Sequence, residues 1–160
     1  MDDAQYPYLV DHRTDPSYLA RQEAEHPHRF EDALKIITGS EFCVKCHKVG
    51  DFTPAGSPAA LAPNLDRVYQ RLRPDYLEKW TGNPKRMLPY TGMPVNFPPG
   101  TPIDQNLFPG SSLDQVEGVV DFLLNYDTYM KDRTSIKPMV KPAPPATASA
   151  GGEPTQVASP

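Results

Sequence analysis

Apolar residues recur at helical spacing in three stretches of the chain. In "RFEDALKIIT", Phe30, Leu34 and Ile37 stand at i, i+4 and i+7, and Gly39 is placed to end the segment. "PDYLEKWTGNP" predicts a shorter helix, closed by Gly82 and Pro84. The strongest pattern is "SLDQVEGVVDFLLNYD". There Leu113, Val116, Val120, Leu123 and Asp127 follow one helical row, Val119 and Leu124 widen it, and Glu117, Asp121 and Asn125 are expected to face water. Ser112 and Gln115 have the spacing of a capping box at its start. A fourth helix is expected in "DPSYLARQEAEHPH", with Asp15 as cap, Pro16 in the first position and Pro27 as the stop. No stretch alternates with period two and no hairpin signal occurs, so the pattern predicts an all-α chain.

Three regions follow from the pattern. Residues 1–29 read as a polar extension with one short helix, packed on the surface. Residues 30–131 hold the three helical signals and form the expected domain. Residues 132–160 are rich in Pro, Ala, Ser and Thr, and read as a disordered tail or linker with too little apolar surface to offset its ordering entropy. Long Pro- and Gly-bearing loops at 50–64 and 83–111 separate the helices. Loops of that length need something to organise them. Hydrophobic residues make up 38% of 160, and the chain has 20 prolines, so a few short helices leave a thin core. That deficit suggests a large apolar cofactor in the middle.

Composition excludes some roles. A net charge of −4 argues against a nucleic-acid binder, which would show a basic patch. The longest nearly apolar run, "GVVDFLL", is too short to cross a bilayer. Met1 is followed by Asp2 and Asp3, which is no secretory signal; the chain reads as cytoplasmic or as a mature fragment.

The chemistry concentrates in "EFCVKCHKVG", which holds Cys43, Cys46 and His47. Structural zinc needs four ligands, and His12, His26 and His28 would have to complete the set without a finger-like spacing. A thioredoxin-type dithiol needs a preceding strand, which the pattern lacks. A disulfide between cysteines three apart closes too small a loop to stabilise much. Covalent haem attachment fits best: Cys-x-x-Cys-His is its signature, the two thiols reaching two vinyl groups on one porphyrin edge and the imidazole reaching the iron. An electron carrier then needs a second axial ligand, and a methionine thioether raises the potential. Among Met1, Met87, Met93, Met130 and Met139, Met93 stands out in "LPYTGMPVNFPPG", where Gly92 and Pro94 are expected to shape the backbone around it; Met87 is its rival.

The order of helix, "CVKCH", "APNL", "LEKWTGNP", "GMP" and terminal amphipathic helix resembles the class I c-type cytochromes of bacteria, over residues 30–131. The resemblance implies a small cytochrome c fold of three to five short helices and long loops around one haem c, bound through Cys43 and Cys46, with His47 and Met93 on the iron. It implies that Pro63 offers its carbonyl to Nδ1 of His47 and that Leu65 packs on the same haem face. Trp80 would lie along the haem edge, or serve simply as a core anchor, and Tyr90 would hydrogen-bond near the sulfur or a propionate. The family usually has a glycine about eight residues before the first cysteine, where this chain has Lys35; Ala33 is the small residue nearby. The loop from His47 to Pro63 also runs longer than in compact members.

Such a protein transfers electrons and is not itself an enzyme. Its partners would be a redox donor and acceptor meeting it transiently at a face framed by Val44, Lys45 and the Met93 loop. Arg67, Arg71, Arg73, Lys85 and Arg86 make the strip 67–86 locally basic, which reads mainly as a solvated face, with one arginine available to offset propionate charge. The tail suggests tethering to a membrane complex or a larger redox protein. Attachment of haem in this way implies a periplasmic or extracytoplasmic location. The alternative is a catalytic or gas- or peroxide-sensing haem in which Met93 is off the iron. A further option has His26 and His28 bind a metal or replace Met93.

Overall fold

The computed structural model describes residues 12–55 and 61–141. Residues 1–11 of the extension, 56–60 of the first long loop and 142–160 of the tail lie outside it. The described residues are helical, with no strand and only two isolated bridges.

The four expected helices form. Helix α1 is Pro16–Glu25, capped by the Asp15 carboxylate, which accepts from the backbone of Ser17 and Tyr18. Helix α2 is Arg29–Thr38, α4 is Pro74–Gly82 and α6 is Ser112–Leu124. Three further segments of four or five residues bring the α-helical total above the expected range: α3 (Val68–Arg71), α5 (Pro84–Met87) and α7 (Tyr126–Met130). Each is about one turn long, too short for periodicity to register.

Helix α2 packs along α6 and α4 packs on α6 beside it. Ala33 is fully buried, as are Ile36 and Ile37 of the same helix. Phe122 is an aromatic hub, edge-on to Phe30 (6.1 Å), Tyr126 (5.9 Å) and Tyr129 (5.1 Å). Gly118 lets the ring of Phe108 close on α6: a Cβ there would stand 2.4 Å from Phe108 Cε2.

The start of α6 lies one residue earlier than its sequence suggests. Ser111 is the cap, paired with Asp114 in a reciprocal box. Gln115 is instead fully buried, where it accepts from the Ile103 N–H (2.8 Å) and donates to the Phe108 carbonyl (2.9 Å). With Ser112 Oγ donating to the Pro98 carbonyl (2.8 Å) and Phe97 and Phe108 buried, these bonds organise the loop before α6 without a cofactor. The core is thus fuller than composition suggests, and a hollow centre is not what argues for haem.

Three expectations fail: the water-facing row of α6, the apolar place of Leu113 and the start of the tail. Asp121 and Asn125 do not face water; they are 0% and 5% exposed, beneath Arg13 and Tyr18 of the extension. Leu113, expected in the apolar row, is 59% exposed. The tail also begins later than expected. Ile136 is 1% exposed, and its N–H and the Ser135 hydroxyl both donate to Asp51 at 2.8 Å. Asp51 therefore holds the first residues of the supposed tail on the domain, with its carboxyl below the usual range because of those bonds. Ile136→Ala is expected to cost about 2–5 kcal/mol in urea unfolding, the range for truncating a buried Ile; a dispensable linker residue would cost nothing.

Burial also pushes the phenols of Tyr18, Tyr126 and Tyr129 up to about 12, with carboxylates adding to it: Asp121 beside Tyr18, Asp66 near Tyr126 and Glu31 near Tyr129. An unfolded tyrosine titrates at about 10. The folded state holds these protons more tightly, so their contribution is complete below about pH 10 and is lost as pH rises towards 12. Urea midpoints from pH 9 to 12 should fall only above about pH 10, in step with delayed phenolate absorbance.

Candidate functional site

After α2 ends, Cys43–Lys45 makes a single tight 3₁₀ turn. The His47 N–H donates to the Cys43 carbonyl at 2.8 Å and the Cys46 N–H to the same oxygen at 3.2 Å. The two thiols and the imidazole therefore share one turn of chain. Cys43 is half-buried against the core, Cys46 is exposed, and neither is in a disulfide. Burial pushes the Cys43 thiol up to about 12.

His47 is fixed by the returning chain. The Ala62 N–H donates to the Cys46 carbonyl and the Leu65 N–H to the Lys48 carbonyl, each at 2.9 Å. This short parallel zipper sets the Pro63 carbonyl 2.7 Å from His47 Nδ1, the contact that the resemblance implies. A carbonyl only accepts, so Nδ1 carries the proton and, in the neutral ring, the lone pair is on Nε2. Burial holds the imidazole below its ordinary pKa, and the Pro63 bond opposes that shift. Leu65 is buried, and Asn64 caps the turn after it by accepting from the Asp66 N–H.

The segment is held from its other side as well. Gly50, at φ +54°, leaves room for the Tyr126 hydroxyl, which would lie 2.7 Å from a Cβ. Asp51 next to it carries the Ser135 and Ile136 bonds. These two residues carry no motif, so the sequence offered no sign of them beyond a Gly-Asp turn.

The remaining candidates are spread over α4 and the loop after α5. Trp80 is half-buried, with its ring stacked on Tyr76 at 6.0 Å and 9°. Met93 is half-buried and its N–H donates to Thr91 Oγ1 at 3.2 Å. Gly92 shapes nothing by its missing side chain: its φ is not positive, and a Cβ would meet nothing within 4 Å. Tyr90 stands in solvent, 84% exposed. Met87 lines a cleft of about 770 Å³ with Phe97, Leu113 and Val116, a cleft that Cys43, Cys46 and His47 do not line. Val44 is 3% exposed, so it anchors the turn to the core and cannot frame a docking face; Lys45 is exposed and pairs with Glu41. Arg67, Arg71, Arg73, Lys85 and Arg86 are all exposed.

Among the described residues, no group of three or more His, Cys, Asp or Glu side chains is placed to hold a metal ion. That gives the zinc reading no support. His26 faces the Phe108 ring at 6.3 Å, and His28 occupies a left-handed backbone position (φ 68°) before α2. No family model, curated protein or solved structure matches the chain.

The unequal settings of the two thiols have a measurable consequence. In the polypeptide before any modification, iodoacetamide at pH 8 should alkylate Cys46 well before Cys43, because reaction needs an accessible thiolate. Peptide mass spectrometry of a time course checks the order; equal rates would contradict the burial of Cys43.

Proposed function

We propose that the chain is a monohaem c-type cytochrome domain that transfers single electrons between redox proteins in an extracytoplasmic compartment. The reading rests above all on one observation: Nδ1 of His47 is committed to Pro63 at 2.7 Å, one residue from a free, exposed Cys46 thiol. A ring held this way offers Nε2 as a ligand with fixed tautomer and orientation, as metal-bound histidines require.

The donor set fits haem c. Cys43 and Cys46 supply two unpaired thiols on one turn, His47 an imidazole, and Met93 a thioether. When bound, haem c supplies a reversible one-electron iron centre. The chain's own residues define what that centre would be. Thioether bonds at Cys43 and Cys46 make attachment permanent, so affinity does not have to retain the group. Pro63 and the zipper at 46–48 and 62–65 fix the imidazole, so it would keep its orientation on a haem iron and reorganisation there would be small. Buried Leu65 excludes water on the His47 side. Met93 is favoured over Met87 because Met87 belongs to the separate cleft against α6. Trp80, on α4, would lie along the haem edge, as the resemblance implies. Lys45, exposed between the two cysteines, would stand at the surface that transient partners meet, in keeping with small, weak redox encounters.

A second reading has Met93 off the iron, leaving a coordination position for peroxide or a gas. The exposed Gly92, Pro94 and Tyr90 around Met93 favour keeping it, since a loop that open can release its sulfur. One variant series separates the two. Met93→Ala should abolish the long-wavelength ferric band of a sulfur–iron bond, admit carbon monoxide and lower the potential by on the order of 0.1 V, a fraction of the roughly 0.8 V that axial ligation spans. Met87→Ala should change none of these. If wild-type protein already binds carbon monoxide without denaturant, the second reading replaces the first.

A further inference from the structure

We propose that the extension preceding α2 is a releasable clasp that holds α4 against α6. Asp121, on α6 and wholly buried, accepts from three directions: Arg13 Nη1 at 2.8 Å on Oδ1, and Arg29 Nη2 and the Tyr18 hydroxyl at 2.9 Å each on Oδ2. Arg13 uses its other terminal nitrogen on Glu78 of α4. Asn125 donates to the Arg13 carbonyl at 3.1 Å and fixes the backbone from which the guanidinium reaches.

The two arginines divide the work. Arg29 is 2% exposed and belongs to α2, so it neutralises Asp121 whether or not the extension is in place. Arg13 is 18% exposed and comes from outside the helical pair, with a second bond that stretches to a 37% exposed glutamate. Loss of Arg13 leaves the Asp121 charge paired and the α2–α6 core intact, and frees Glu78 into water. Helix α4 needs that hold. It has nine residues, below the length at which a helix is stable alone, and buries only Leu77 and Thr81. It also carries Trp80 and leads through α5 into the Met93 loop. Anything that lifts residues 12–28 from α6 therefore loosens α4 first, as a local opening with the core still folded. The clasp stands on these contacts alone and is independent of the haem reading.

Amide hydrogen exchange on the intact mature protein tests it, with Arg13→Met, Glu78→Gln and the double variant against wild type. Amides from Leu77 to Asn83 should exchange at least tenfold faster in either single variant, while the protected amides of α2 and α6 stay within twofold. The double variant should be no faster than Arg13→Met, because both changes remove the same ion pair. Acceleration confined to residues 12–28, no change in α4, or an equal rise in α2, α4 and α6 would each overturn the clasp. Should Arg13→Met fail to fold, Glu78→Gln decides alone, since its exposed site tolerates the change. Absence of haem with accelerated α4 exchange would sink the functional reading and leave the clasp standing.

Discussion

One hydrogen bond orders the candidate site. The Pro63 carbonyl accepts a hydrogen bond from His47 Nδ1–H, and the rest of the local chain is arranged so that it can. The bond requires residues 61–65 to return alongside the cysteine segment, which the two backbone bonds from Ala62 and Leu65 secure. It also requires the cysteine segment to stay still. Val44 anchors that segment to the core, and Asp51 ties its far end to Ser135 and Ile136. A lone Cys-x-x-Cys-His turn would be a flexible peptide with three reactive groups. Set in this frame, its imidazole has one free nitrogen and one direction.

The frame in turn depends on α6, which gathers α2, α4 and the N-terminal extension. Its apolar side receives α2, α4 and the aromatic cluster around Phe122. Its polar side receives the extension at Asp121 and Asn125. Ile136 packs elsewhere, at Gly50 with the Tyr126 hydroxyl of α7. A buried carboxylate is costly to assemble; with two arginines the Asp121 charge stays paired when Arg13 is lost, and only removal of both would leave a charge with no water to turn to.

Much of this was legible in the residues. Helices α1, α2, α4 and α6 follow from period and local signals, because Asp15-Pro16, Gly39 and Asn83-Pro84 act locally and need no knowledge of the fold. The Pro63 contact followed from a resemblance resting on short motifs. What escaped was set by distant chain. Asp121 and Asn125 lie on the polar row of a helix, and only residues about a hundred positions away turn that row inward. Ser111 and Ser112 both satisfy a cap rule; the choice falls to Ser111 because Gln115 is needed inside for Ile103 and Phe108. The boundary at residue 132 failed since one buried isoleucine and one aspartate outweigh a Pro- and Ala-rich composition. Val44 looked exposed because a motif says nothing of which way its variable residues point.

The most direct measurement is a tryptic map of the protein purified from a host able to mature c-type haem. Trypsin cuts after Lys45, between the two cysteines, so a thioether-bound haem joins two peptides that would otherwise separate. The account predicts a single coloured species whose mass is the Cys43 and Cys46 peptides plus one haem. Two colourless peptides with free thiols, from a host shown to mature another c-type cytochrome, would contradict it.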